Sequence, residues 1–595
     1  MRAVTDPAVL LMQRLMRLLR WRLWLQEKLQ PTDWQLMLWW AALAGFAGAM
    51  VSLLFRVFTE GIHELLTGRT AGVVETMRLL PWWARVLVPA AGGLFAGMAL
   101  LLGKRVARRE SSTDYMEAIA IGSGKLPLRS SVVKSVAALF SIASGGSIGR
   151  EGPMVQLSAL MGSLIGQWRK FSTPQLRLLV ACGAAAGIAS AYNAPIAGSF
   201  FVAEIILGSI AMESLGPLVV SAVAAGLTVR VLTDAQQLYQ VPAFKLASPW
   251  EMVPYLVLGF LAGTLAPWFL GTLRRAEKWF VATTLPPVAR LALGGVIVGA
   301  LAVFYPEVCG NGYTIVVDIL NGQLVWYLLV PIMLAKWLAT ASSFGSGAPG
   351  GVFTPSLFMG ASAGYLFGTA VHSFWPTGAA DPQAFALVGM GAFLSAVTYA
   401  PVMALIMLFE MTLSYDIILP LMLCNVIAYF TAKGLQGESL YSEVLRHKAA
   451  EAPAPVLPTG SVADLMRRDP PMIGATARFA EIGRMFLSVR VNNLYVTGAD
   501  GKFLGAVSLH DIKPYLGNAD LASLVIASDI VRDDFPRIGP QQSLSDALGA
   551  FLGHSFERLP VIEQATGRLI GSLSKSDLLL ALVERHKTRV PAPAG

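Results

Sequence analysis

Cysteine is almost missing from this 595-residue chain: Cys182, Cys309 and Cys424 stand alone and far apart. Three isolated thiols make no disulfide framework, and no CxxC pair offers a metal site. Charge is scarce as well. Only 14% of residues are Asp, Glu, Lys or Arg, against about 25% in ordinary globular proteins. The shortage is uneven, with 30 charged residues among the last 145 and 53 among the first 450. Those proportions exclude a purely soluble enzyme, a disordered chain and a coiled coil. They describe a long membrane part followed by a smaller soluble part.

Hydrophobic residues make up 55% of the chain, and the net charge is +9. In a soluble protein that charge would point to nucleic acid. In a membrane protein it reflects Lys and Arg gathering in cytoplasmic loops. The first 33 residues carry Arg2, Arg14, Arg17, Arg20, Arg22 and Lys28 against three acids, without the short apolar core of a signal peptide. The expectation is a cytoplasmic N-terminal segment, 1–34, whose alternating Leu and Arg form an amphipathic helix lying on the membrane surface.

Ten apolar stretches of near-spanning length follow, at about 35–58, 82–103, 196–212, 214–232, 252–272, 288–304, 323–341, 355–375, 384–409 and 417–433. Segments 133–149, 153–167 and 177–191 look too short or too Gly-rich to span. Interrupted segments of that kind are where transporters build binding sites.

The chain also repeats itself. Residues 183–204 align without a gap on 389–410, superposing Gly183, Ala186, Ala194, Pro195 and Glu204 on Gly389, Ala392, Ala400, Pro401 and Glu410. Residues 144–166 align on 346–368, with Gly149 and Pro153 falling on Gly351 and Pro355. The bland reading is generic Gly/Ala packing, but two similarities at nearly one offset favour two related halves, about 35–232 and 250–445. After an Ala/Pro-rich linker at 446–460, residues 501–516 resemble 567–582, each preceded by a strand-like run, at 493–497 and 557–562, and followed by a helix.

The segment carrying chemistry is GREGP, Gly149 to Pro153. A charge at the bilayer centre costs at least about 2.5 kcal/mol, so Arg150 and Glu151 are functional candidates. A proline suits the first turn of a helix, which needs no backbone N–H there. The helix start offers unpaired N–H groups and partial positive charge, which is an anion site without a full cation. A permeant anion needs such a weak hold in order to leave. The Glu151 carboxylate can occupy that site when charged and vacate it when protonated, acting as gate and proton carrier. The plain alternative is a buried Arg150–Glu151 ion pair. GVFTP, Gly351 to Pro355, repeats the arrangement, with the amides of Val352 and Phe353 able to face the same point. GSGAPG at 345–350 matches GxGxxG only in letters, since Pro349 interrupts it and no βαβ unit surrounds it.

GREGP, GVFTP, NAPIAG at 193–198 and LYSEVL at 440–445 resemble the CLC family of chloride channels and chloride/proton exchangers over about 35–445. The resemblance implies a mostly α, polytopic membrane protein of two inverted halves with broken helices. It implies a homodimer with one anion pore per subunit and Glu151 as the gating glutamate. It also implies anion contacts from Gly149, Arg150, Gly152, Gly351, Val352 and Phe353, from a serine and from Tyr441. The serine is Ser111 or Ser112 by family spacing, with Ser123 the outlying choice. Exchangers carry a proton-relay glutamate one residue after Glu204, where this chain has Ile205. That departure points toward passive conduction, but Glu151 and Tyr441 are both present, so exchange is the first reading and passive conduction the second, with Glu117 and Glu204 as candidate proton-path residues.

Residues 461–585 resemble a pair of CBS domains, 461–518 and 519–585, ahead of a tail at 586–595. Both repeats fit G-x-x-S-x-x-D, which in such modules implies ribose and phosphate contacts for an adenine nucleotide from Ser508, Asp511, Ser574 and Asp577; a purely structural pair is the other reading. Other classes fit less well. A membrane metalloprotease needs HExxH, and His63-Glu64 lacks the second His. A CBS-bearing divalent-cation transporter needs clustered carboxylates, and Arg150 beside Glu151 opposes it. The expectation is thus no enzyme, no required cofactor, chloride or another small anion as substrate, and no nucleic acid. The location expected is a bacterial inner membrane with both termini cytoplasmic.

Overall fold

A computed structural model describes residues 33–106, 114–233, 239, 248–435, 460–489, 491–515, 524–552 and 556–581. The chain divides into two compact units, Met1–Ala449 and Ala450–Gly595. The first is an integral multi-pass membrane unit. Among the described residues eight helices are long and apolar enough to cross a bilayer, from Gln35–Thr67 to Ile418–Leu435.

Seven of the ten stretches read as spans coincide with these helices. The stretch 196–212 holds only a short α-helix, Pro195–Phe200, continued by a π-helical turn, Phe201–Ile206. The stretch 384–409 is broken into Pro382–Thr398 and Pro401–Thr412. The stretch 355–375 forms the helix Phe353–Phe374, whose first three turns are almost wholly buried. Conversely, 177–191, set aside as too Gly-rich, belongs to the spanning helix Thr173–Tyr192. Its small residues serve packing. A β-carbon on Gly183 would strike the backbone of Ser158, and one on Gly162 would strike the backbone of Leu179. In the other half Gly389 and Gly364 are pressed the same way against Gly360 and Phe385. Without a hydrophobic drive between helices in lipid, such close approach is what holds them together.

The two halves break their helices identically. Tyr192 ends one helix, Asn193 turns through a left-handed φ of 54°, and Pro195 opens the next. Thr398, Tyr399 with φ of 59°, and Pro401 repeat the turn. Asparagine tolerates that region, and proline suits the new first turn. A cross-exchange of caps follows. Glu204 accepts from the amides of Val402 and Met403 at 3.3 and 2.7 Å, while Glu410 accepts from those of Ile196 and Ala197 at 3.0 and 2.7 Å. Each half supplies the acid that satisfies the other half's helix start. Such reciprocity is what a two-fold relation between the halves produces.

The second unit is α/β. Strands Met472–Gly474, Asn493–Thr497 and Phe503–Ser508 form one sheet, the first pair parallel and the second antiparallel. Strands Arg558–Ile562 and Leu569–Ser574 form an antiparallel pair. Each repeat has its own core, Leu494, Val496 and Val507 under the helix Phe479–Ser488, and Leu559, Val561 and Leu573 under Leu544–Leu552. The repeats also bridge each other, Arg467 with Ser572 and Arg532 with Ala506. The expected N-terminal helix, most of the linker and the tail lie outside the described residues.

Candidate functional site

The helices Glu151–Trp168 and Phe353–Phe374 begin at one point. Gly149 and Gly351 form an antiparallel bridge, Gly149 N–H donating to the Gly351 carbonyl at 2.7 Å and Gly351 N–H to the Gly149 carbonyl at 2.9 Å. The loop before Gly149 is stapled to the preceding helix of the other half, Trp326–Gly345, Ser147 N–H donating to Ser343 Oγ at 3.1 Å. Pro153 and Pro355 each fall in a first turn, where a missing N–H costs nothing. Glycine is required at the bridge, because a β-carbon on Gly149 would collide with Glu151 Oε2, and one on Gly351 would approach that atom to 2.9 Å.

Glu151 is buried, with 4% of its surface exposed. Its two oxygens differ. Oε1 accepts from the Tyr192 hydroxyl at 2.5 Å and from the Thr354 amide at 3.1 Å. Oε2 has no hydrogen-bond partner and lies against the two bridging glycines. Tyr192 and Thr354 hydroxyls are 3.0 Å apart. Since the single Tyr192 hydroxyl hydrogen goes to Glu151, Thr354 is the donor in that pair. The Tyr192 ring packs on Phe353 with centroids 5.2 Å apart, and Phe353 in turn meets Phe201 at 6.4 Å. A carboxylate therefore fills a point where donors from both halves converge.

A cavity of about 290 Å³ opens beside it, lined by Glu151, Gly152, Val352 and Phe353, with Lys134 and Gln156 as polar walls. Lys134 has a repeat counterpart, Lys336, which is wholly buried and donates to the carbonyls of Val308 and Gly310 at 2.8 and 2.6 Å. The second-half lysine is used up on backbone, whereas its first-half counterpart lines the cavity.

The structure brings together Gly149, Glu151, Gly152, Gly351, Val352 and Phe353. Arg150 is half-buried just before the helix, with Arg56 and Glu60 close enough to act on its charge. Glu117 is half-buried on the short helix Tyr115–Ala120. Glu204 caps the helix start described above. Ser111, Ser112 and Tyr441 lie outside the described residues. Tyr192 and Thr354 were not picked out from sequence. Both stand beside or inside strings that were, and the signal was a hydroxyl in an otherwise apolar run.

In the second unit Ser508 Oγ accepts from the His510 amide at 3.2 Å, and Ser574 Oγ pairs with Ser576 at 2.5 Å. Asp577 is held by a bidentate contact from Arg467 at 2.9 and 3.1 Å, and Asp511 lies 3.6 Å from Arg532. Each carboxylate is thus engaged by the other repeat's arginine. A cavity of about 450 Å³ is lined by Asn492, Glu557, Arg558, Ser574, Lys575 and Ser576.

Both units resemble known proteins. The family described as voltage gated chloride channel matches residues 92–433, and the CBS domain matches 462–518 and 527–584. A putative chloride channel protein, ClcB-like, from Ralstonia nicotianae is 50% identical over 409 residues, 68% of this chain and 95% of the relative. A voltage-gated ClC-type chloride channel, ClcB, from Escherichia coli is 38% identical over 405 residues, again 68% of this chain and 94% of the relative. The solved structure of a slow cyanobacterial Cl−/H+ antiporter superposes with TM-score 0.62 at 26% identity, covering 70% of this chain and 98% of that one. A eukaryotic CLC transporter, 19% identical, shares the fold with TM-score 0.57 over 91% of this chain and 97% of that one.

Proposed function

Because this chain belongs to the voltage-gated chloride channel family, we propose that it carries chloride across the membrane in exchange for protons, with Glu151 as gate and proton carrier. The observation that supports this most is the seat of Glu151, whose carboxylate takes the donors of Tyr192 and Thr354 where the two helix starts meet. Charged, it competes with chloride for those donors. Protonated, it accepts more weakly and leaves, and an anion enters. The proton goes to Oε2, the oxygen without a partner. Gly149, Gly152 and Gly351 give the backbone room, the amides of Val352 and Phe353 face the anion, and Arg150 adds positive potential. Ser111 or Ser112, with Tyr441, supply hydroxyl ligands on the family resemblance alone.

A second reading, uncoupled conduction, is favoured by Ile205, which sits in the π-helical turn next to Glu204. Both Glu204 oxygens are already taken by backbone amides. A proton path must then run through Glu117 or water. In liposomes with symmetric chloride and a pH gradient, exchange predicts a non-zero reversal potential, and a reversal potential of zero would establish the uncoupled reading. We propose further that the protein is a homodimer in a bacterial inner membrane, with one pore per subunit and cytoplasmic termini. The CBS pair is a proposed adenine-nucleotide sensor.

A further inference from the structure

Two donors remain aimed at one point when the gate leaves, and a third supports one of them. The two are the Tyr192 hydroxyl and the Thr354 amide, and the Thr354 hydroxyl donates to the Tyr192 oxygen. Tyr192 is 4% exposed, and its ring is fixed against Phe353. Its hydroxyl cannot turn to bulk water, and a buried donor left without an acceptor is costly. It also comes from the helix Thr173–Tyr192, whereas the amide comes from Phe353–Phe374. The gate's seat is therefore built partly by a side chain and not by helix starts alone.

We propose that Tyr192 has two successive partners: it latches the Glu151 carboxylate in the closed state, and it becomes a ligand of the permeating anion once that carboxylate is protonated and leaves. This rests on the gate reading above. The latch is selective for the charged gate, because a carboxylate accepts far more strongly than the neutral acid. Protonation at Oε2 weakens the hold at Oε1, so the arriving proton itself releases the latch. The same hydroxyl then donates to the halide, with Thr354 still donating to the Tyr192 oxygen and polarising it. No covalent bond changes; one hydrogen bond is exchanged for another.

Other charges act on this point and set its background. Arg150 precedes Glu151, with Arg56 and Glu60 acting on Arg150. Tyr239 is near enough to feel both Glu151 and Arg150. Lys134 and Asp114 line the adjoining cavity. Among the described residues none of these donates a hydrogen bond to Glu151, so removing the Tyr192 hydroxyl takes away its contacts with Glu151 and Thr354 while these charges stay.

The test is Tyr192→Phe, which keeps the ring and its packing. Chloride flux is measured in liposomes against pH for wild type, Tyr192→Phe and Glu151→Gln. Chloride affinity is measured by calorimetry for Glu151→Gln and for the double variant Glu151→Gln/Tyr192→Phe. Losing a donor that favours the charged gate makes protonation easier. The half-maximal pH of Tyr192→Phe should therefore rise by about one unit, the scale of one hydrogen bond to a charged group. In the Glu151→Gln background, removing the hydroxyl should weaken chloride affinity by roughly three- to tenfold. An unchanged midpoint overturns the latch, and unchanged affinity overturns the ligand role. If Glu151→Gln itself stays pH-gated, the gate reading fails and takes this proposal with it. If Glu151→Gln is insensitive to pH while Tyr192→Phe matches wild type, only the Tyr192 proposal fails.

Discussion

A single missing β-carbon decides whether the Glu151 carboxylate, the proposed gate, can take its seat. Gly149 leaves room for Glu151 Oε2, and the three atoms nearest to an added methyl all belong to the Glu151 carboxylate. Gly149→Ala should therefore push the carboxylate off its seat and leave the surrounding helices in place. Overpacking of about 1 kcal/mol shifts such a balance about fivefold. Chloride flux at alkaline pH should rise by at least that factor toward the acid-pH rate. In the Glu151→Ala background the same Gly149→Ala change should do little, because its collision partner is gone. Equal effects in both backgrounds, read from flux at two pH values, would show that the glycine serves the backbone and not the gate. Glu151 was legible in the sequence, because a charge inside GREGP has few structural uses in an apolar setting. Tyr192 was not, because a tyrosine ending an Ala-rich helix looks like any interfacial aromatic. Only the fold brings its hydroxyl to a residue 41 positions away in sequence.

At the scale of elements, broken helices have to be closed by something. Glu204 and Glu410 close them crosswise, each accepting two amides from the other half's helix start. Removing a charged acceptor from a helix N-terminus costs about 1–2 kcal/mol. Glu204→Ala and Glu410→Ala should lower the unfolding midpoint in detergent by similar amounts, and neither should alter chloride affinity. A large loss of chloride affinity in Glu204→Ala alone would mean that its carboxylate serves the permeation path. The internal repeat was visible in sequence because both glutamates and both prolines keep their spacing. The use of those glutamates was not visible, since it depends on contacts across some 200 residues. Apolarity misled in one place: the run 384–409 is continuous in hydropathy, yet Tyr399 turns it through a left-handed residue into two helices. Glycine misled in the other direction at 177–191, where small side chains mark close helix packing within a spanning helix.

For the whole molecule, a membrane unit and an α/β unit share one chain, and the composition alone separated them. The sheet register and the reciprocal arginine contacts of the second unit were beyond the sequence pattern, which marks serine and aspartate but not their partners. Asp577 is held by Arg467, so an adenine nucleotide must take that carboxylate from its arginine in order to bind through the ribose. Titration of ATP, ADP or AMP into the full-length protein should give heat that Asp577→Ala abolishes; heat unaffected by that change would place the nucleotide elsewhere, and no heat would leave the pair structural. Transport through the meeting point of the two helix starts requires the halide to sit there. Anomalous diffraction from Glu151→Gln crystals soaked in bromide tests it most directly. A peak within hydrogen-bonding reach of the Thr354 amide and the Tyr192 hydroxyl, beside the Gly149–Gly351 bridge, is the predicted result. Bromide bound within the membrane unit but away from that bridge would contradict it.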